Sequence, residues 1–177
     1  MPVSLTIDAA SPDEVNALAD LAAQTFPLAC PPHMPADAVA GFIAEKLSAE
    51  AFAQYLEDPD CDVVTARSES RLAGYALAFH QVPPPEIAGL IGPERAAYLS
   101  KLYVRPGSIG SGIGYALLER VRERAQQRGA ARMWLGTNQK NTRSQAFYDR
   151  TGFERVGTRQ FLVGGRLEDD FVYALKL

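Results

Sequence analysis

The sequence predicts a single mixed α/β domain, and three observations carry that prediction. Runs with strand character alternate with segments of helical period along the whole chain. Two pairs of such runs meet across short turns, at Ser68–Arg71 and at Gly164-Gly165, and read as hairpins. A further run, residues 98–104, leads through a glycine-crowded turn into a helix. At 177 residues one domain spanning 1–177 is expected, large enough for a real core.

The elements follow in order. Residues 3–8 read as a short strand ended by Ser11-Pro12, with Ser11 as cap and Pro12 in the first turn of a helix. Val15, Leu18, Leu21 and Ala22 mark its apolar face, and Thr25-Phe26-Pro27 is expected to end it. Pro27 to Pro35 holds four prolines and reads as an irregular loop. A second helical region runs from about Ala36 to Glu57, broken at Ser48, and Asp58-Pro59-Asp60 stops it. Strands are expected over 62–67 and 72–80, followed by a second proline-rich excursion from Gln81 to Glu94. A helix over roughly 112–128 buries Ile113, Leu117, Val121 and Ala125, and Gly129 ends it. Met133, Trp134 and Leu135 form the next strand. Asn141 to Arg150 is a short helix ended by Gly152, and Phe153–Val163 with Leu167–Leu177 closes the chain as a hairpin.

Composition narrows the function. Hydrophobic residues at 47% and charged residues at 22% are ordinary for a soluble globular protein. A net charge of −3 argues against a nucleic-acid surface. Cys30 and Cys61 are too few for a disulfide framework or a metal cluster, and read as two buried thiols in a reducing cytoplasm. No apolar run approaches a membrane span and no leader is apparent. No metal is expected: His33 and His80 show no ligand spacing and read as structural histidines.

The glycine turn carries the chemistry. Gly110, Gly112 and Gly114 alternate where the helix begins. Glycine permits φ > 0 and close approach of a ligand, and the first N–H groups of a helix lie unpartnered at the positive end of its dipole. Together they make a phosphate site. The spacing excludes the two common nucleotide loops. A dinucleotide fold needs G-x-G-x-x-G, which would require glycine at Tyr115 or Leu117. A nucleoside-triphosphate loop would require lysine at Ile113.

Strand, Val104-Arg105-Pro106, glycine turn and helix are followed by Trp134-Leu135-Gly136 and Asn141-x-x-Ser144-x-x-Phe147-Tyr148-x-x-x-Gly152-Phe153. This order resembles the GNAT superfamily of acyl-CoA-dependent N-acyltransferases over nearly the whole chain. The resemblance implies a single mixed, mostly antiparallel sheet flanked by helices, with acetyl-CoA as cosubstrate. It implies that backbone amides of Ile109, Gly110, Ser111, Gly112, Ile113 and Gly114 hold the pyrophosphate. The pantetheine arm would then pair with the strand at Leu102, Tyr103 and Val104, with Asn141 supporting it and Tyr148 near the thioester sulfur.

Tyr148 also has a chemical rationale. Aminolysis of a thioester passes through a tetrahedral intermediate and expels a thiolate, to which a phenol within reach can donate a proton. The Val104 N–H would polarise the carbonyl as an oxyanion hole does. On position alone Tyr148 reads as an amphipathic core residue; within the full motif it reads as the general acid. Two departures stand out. Ile109 occupies the turn position where the family usually has Gln or Arg. The glutamate that many members carry on the central strand, within Tyr98–Ser100 here, is absent. Glu86 or Glu94 would have to relay through water, or the amine would have to arrive neutral.

The acceptor is less sharply drawn. Thr25-Phe26, Gly164 and Asp169-Asp170 are similar to bacterial spermine/spermidine acetyltransferases, which implies a polyamine as the small amine. Glu168-Asp169-Asp170 reads first as a solvated turn beside a strand; near a pocket the same acids would attract a cation. Phe26 and Phe161 read first as ordinary core. The Pro27–Pro35 loop is expected to form one wall of the acceptor site, and residues 81–95 the opposite wall. Two other readings remain open: transfer to a protein N-terminus or lysine, and a non-catalytic acyl-CoA sensor. Pairing of sheet edges into a homodimer is implied by the family alone.

Overall fold

The computed structural model describes residues 4–177. Chain order runs β1 (Leu5–Ala9), α1 (Val15–Ala29), α2 (Ala36–Lys46), α3 (Ala49–Glu57), β2 (Cys61–Ser68) and β3 (Arg71–Gln81). It continues with α4 (Pro85–Ile91), β4 (Ala96–Val104), α5 (Ile113–Gln127), β5 (Arg132–Asn138), α6 (Thr142–Arg150), β6 (Glu154–Val163) and β7 (Arg166–Lys176). The seven strands form one sheet in the order β1-β2-β3-β4-β5-β7-β6. Every neighbouring pair is antiparallel except β4–β5, so this is the mixed, mostly antiparallel sheet that was expected.

Both predicted hairpins are present. Glu69 and Ser70 turn between β2 and β3 with φ of 51° and 67°, the left-handed conformation that matches strand twist. Gly164 and Gly165 do the same between β6 and β7. Ser48 caps α3, its hydroxyl accepting the Ala51 N–H at 3.1 Å, which breaks the 36–57 helical region where its sequence suggested. The expected strand 3–8 begins at Val3, which lies outside the described residues.

Two expectations need correction. Pro27 does not end the first helix, because α1 continues to Ala29. Pro27 stands in the last turn, and Leu18, Leu21, Ala22 and Phe26 are buried beneath it, so tertiary packing carries the helix past one lost N–H. The Gln81–Glu94 excursion contains α4, with Pro84 as N-cap and Pro85 in the first turn. Ile87 and Ile91 hold α4 against Trp134 and Val172, which a local reading of prolines does not reveal.

The sheet divides the core into two layers. α5 covers one face, where Leu117, Leu118 and Val121 meet Val64, Ala76, Leu99 and Met133. α1, α2 and α3 cover the other, where Leu18, Phe42 and Phe52 meet Val63, Tyr75 and Leu77. A bulge lies within β4: Lys101 pairs with Leu77 but Leu99 with Ala78, leaving Ser100 as the extra residue. It shifts the alternation, so Leu99 faces α5 whereas Lys101 and Tyr103 face the α1–α2 layer.

The far end of α5 is fixed by charge. Asp62 on β2 is buried and accepts hydrogen bonds from Arg124 (2.8 Å) and Arg128 (3.1 Å), with His80 Nε2 at 2.8 Å. Burial would raise its pKa, but these bonds outweigh it and hold the carboxyl far below the usual carboxylate range. Asp62→Asn should therefore cost about 3 kcal/mol in urea unfolding, since both guanidinium groups lose their buried partner. The unfolded carboxylate protonates near pH 4, so this contribution is complete above that pH and lost as pH falls. The acid loss of stability should be shallower in Asp62→Asn.

Candidate active site

The site arises where β4 leaves β5. The two strands pair only at Ala97↔Met133 and Tyr98↔Trp134, and diverge beyond. On the other side β4 stays bonded to β3: the Tyr103 carbonyl lies against Gly74, and Arg105 N–H donates to Ala73 O at 2.7 Å. Successive residues of a strand present their N–H and C=O to opposite sides. Leu102 and Val104 therefore turn theirs into the gap.

A cleft of about 530 Å³ opens along this gap. Leu102, Tyr103 and Val104 form its floor, and Ile109, Gly110, Gly112 and Gly114 its end. Gly112 caps α5 with φ 86° and offers no side chain. The first intrahelical bond there runs from Ala116 N–H to Gly112 O at 3.0 Å, so the N–H groups of Ile113, Gly114 and Tyr115 precede the helical ladder. A Cβ at Gly110 or Gly112 would meet nothing within 4 Å, leaving open space where a ligand can approach. At Ser111 and Ile113 the expectation concerns the main chain alone. Ser111 is exposed and bonds to Ser108 O, while Ile113 is buried in the core beside Leu117, so only their main chain is available. Ile109 is exposed at the cleft.

A smaller cavity of about 100 Å³ lies on the α1–α2 side. Ala29, Leu102, Tyr103, Asn141, Ser144 and Tyr148 line both spaces and form their junction. Asn141 Oδ1 accepts the Ser144 N–H at 3.1 Å and caps α6, which aims Tyr148 at that junction. Tyr148 is held by Phe147, Phe153 and Tyr173, and its hydroxyl has no hydrogen-bond partner among the described residues. Burial pushes its pKa well above that of an ordinary phenol, so it carries its proton at any physiological pH.

The walls of the small cavity partly correct the sequence reading. Phe26, Cys30, Pro31 and Met34 line it, so the Pro27–Pro35 segment does contribute a wall. The other wall is Phe161, Val163, Glu168 and Asp170 of the β6–β7 hairpin, whereas residues 81–95 line neither space. Gly164 lets that hairpin tip press on α2, since a Cβ there would collide with the Ala38 backbone. Glu168 and Asp170 are buried rather than solvated; only Asp169 is exposed. Glu86 and Glu94 are exposed and line neither space, which removes both as relay candidates. His80 serves Asp62 in the fold, as a structural histidine. His33 bonds Glu168 at 2.9 Å; Glu168 lines the cavity and His33 does not. Cys30 is only half-buried, and burial pushes its thiol up to about 11.

Sequence reasoning missed several residues here. Arg143 and Arg150, exposed on α6, flank the large cleft. Arg159 lies over Gly136 in space that a Cβ would fill, 3.1 Å from Asp170 and 3.2 Å from the Tyr98 hydroxyl. Lys101 is buried with its ammonium 5.2 Å from the Phe42 ring centre and 5.6 Å from that of Phe161. A lysine amid the apolar alternation of residues 96–104 was the available signal.

Comparison with known proteins agrees with this arrangement. The acetyltransferase (GNAT) family pattern matches residues 16–153. Uncharacterized N-acetyltransferases of Mycobacterium tuberculosis H37Rv and Mycobacterium bovis are each 43% identical over 164 residues, covering 93% of this chain and 98% of theirs. The PaiA N-acetyltransferase of Thermoplasma acidophilum, solved in complex with coenzyme A, shares the fold with a TM-score of 0.79 at 20% identity. That likeness covers 98% of this chain and 99% of the other. A ribosomal-protein-alanine N-acetyltransferase of Brucella melitensis superposes with a TM-score of 0.70 at 25% identity, covering 97% and 99%. The chain belongs to the GNAT family and is an N-acetyltransferase.

Proposed function

We propose that residues 1–177 act as one domain that transfers the acetyl group of acetyl-CoA directly to a small primary amine. The observation that carries this is the junction: a cleft of about 530 Å³ that ends at the glycine turn meets a smaller cavity of about 100 Å³ at Leu102, Tyr103 and Tyr148. Acetyl-CoA would supply an activated acyl group and a thiolate leaving group. The amides of Ile109 to Gly114 would hold its pyrophosphate at the positive end of α5. Leu102 and Val104 would hydrogen-bond the pantetheine arm with the N–H and C=O groups they turn into the gap, and Asn141 would flank it. The Val104 N–H would stabilise negative charge developing on the carbonyl oxygen. Tyr148 would donate its proton toward the departing sulfur.

The small cavity favours a compact acceptor. The acids expected to attract a polyamine are present in its wall, but Asp170 is already paired with Arg159 and Glu168 with His33. A polyamine would place one amino group inside and leave the others at the His33–Glu168 rim. A second reading, transfer to a protein N-terminus, draws support from the likeness to the Brucella melitensis enzyme named for a ribosomal protein. The enclosing Cys30–Met34 segment and hairpin wall weigh against a chain-length acceptor. Two free thiols and dependence on acetyl-CoA suit a reducing cytoplasm. Homodimer formation would use an edge of the sheet, β1 or β6.

Thiol release from acetyl-CoA should be fast with at least one member of a small-amine panel that includes spermidine, and slow with N-terminal peptides. The reverse ranking would establish the protein-acceptor reading, and release with neither would leave an acyl-CoA sensor. Tyr148→Phe should lower kcat by about 10²-fold with coenzyme A affinity unchanged. Gly112→Val should weaken coenzyme A binding by roughly tenfold in calorimetry, because a β-branched residue at φ 86° is strained by about 1–2 kcal/mol.

A further inference from the structure

The chain lacks the strand glutamate that would take the acceptor's proton, and the site shows another group placed for that task. We propose that the uncharged ε-amine of Lys101 is the general base that deprotonates the acceptor ammonium. This rests on the acceptor reading above and extends it.

Lys101 is one of four lysines in the chain and is 7% exposed. The bulge at Ser100 turns it into the acceptor cavity, one residue before Leu102, which lines the junction. Its Nζ donates to Ser100 O at 3.1 Å and Ser100 Oγ at 3.2 Å, and no carboxylate lies within ion-pair distance among the described residues. The remaining contacts are the faces of Phe42 and Phe161. This is a desolvated amine beside other cations, the environment that makes a lysine basic chemistry's participant near neutral pH.

The neighbouring charges agree. Burial lowers the ammonium pKa first, and Arg159 on β6 lowers it further, to about 8; Lys46 at the end of α2 adds a little. Asp170 on β7 opposes them, but it is engaged 3.1 Å from Arg159. Cys30, after α1, holds its proton until about 11 and contributes no charge at pH 8. Glu168 faces the same cavity and is paired with His33. In the step itself the Nζ lone pair takes one proton from the acceptor ammonium, leaving a neutral amine and a lysine ammonium. No bond to carbon forms or breaks, and the proton later passes to solvent.

The test uses the full chain with two acceptors. One is an alkylamine that is a substrate and is charged at neutral pH. The other is 2,2,2-trifluoroethylamine, which is already neutral there. Lys101→Met should fold with an unchanged or higher Tm and lower kcat/KM for the alkylamine by about 10²-fold. It should abolish the rise in kcat/KM centred near pH 8, and cost only a few-fold with trifluoroethylamine. Lys101→Arg, which cannot give up its proton, should fail in the same way. ¹³C-lysine NMR, assigned with Lys101→Met, should show the Lys101 signal titrating near pH 8, well below the ordinary lysine value of about 10.4. Equal losses with both amines, a rise in KM with kcat unchanged, or an ordinary titration would overturn the base while leaving the acceptor reading intact. Absence of thiol release with every amine would overturn both.

Discussion

The separation of β4 from β5 is the constraint on which the rest depends. Elsewhere the sheet is continuously bonded, with β3–β4 paired from Gln81↔Ala96 to Gly74↔Val104. Between β4 and β5 the ladder stops after two residue pairs, although both strands continue. Main-chain groups that leave a ladder need other partners or water, because unpaired buried N–H and C=O groups are costly. The gap stays open because each edge is held from its far side. β4 is fixed by β3 and bent by the Ser100 bulge, while β5 is fixed by β7 along Arg132–Asn138. α6 is tied to β5 by the Thr137–Ser144 hydroxyl contact at 3.0 Å, so Tyr148 stands at the opening.

α5 serves the same opening from the other face. Its C-terminal half is anchored to β2 by Arg124 and Arg128 on Asp62, and its middle by Leu117 and Val121 in the core. At the other end the N-terminus has no side-chain cap hydrogen bond among the described residues. Gly112 supplies the left-handed turn and nothing more. A helix that began with Ser or Asp would have satisfied its own first N–H groups. This one leaves them without a side-chain cap among the described residues, while Arg124 and Arg128 hold the other end of the helix to Asp62.

How much was legible in the sequence follows from which interactions are local. The Gly110–Gly114 turn, both hairpins, the Ser48 break and the Asn141–Phe153 segment are encoded within a few residues, and each is found in place. α4 was not legible, because a helix of seven residues between prolines is stabilised by Trp134 and Val172, far along the chain. Continuation of α1 through Pro27 likewise depends on the layer beneath it. The cavity walls were only half visible: the proline segment could be read, but the burial of Glu168 and Asp170 follows from the hairpin lying against α2. Lys101 was hidden for a different reason. Which face a strand residue occupies depends on register, and here the register is shifted by a bulge defined against β3.

The charges in the small cavity also bear on the form in which the acceptor reacts. Asp170 is paired with Arg159 and Glu168 is bonded to His33, which leaves Lys101 without an acidic partner among the described residues. In a space of about 100 Å³ walled by Phe26 and Phe161, a charged amine beside a charged lysine would suffer repulsion that water screens only in part. Two ammonium groups within that cavity are therefore disfavoured, and one of them must shed its proton. If the acceptor sheds it, its nitrogen gains the lone pair that attack on a thioester requires. The absence of a glutamate on β4 then fits the site: a carboxylate beside Lys101 would favour its ammonium form and make it a poorer base.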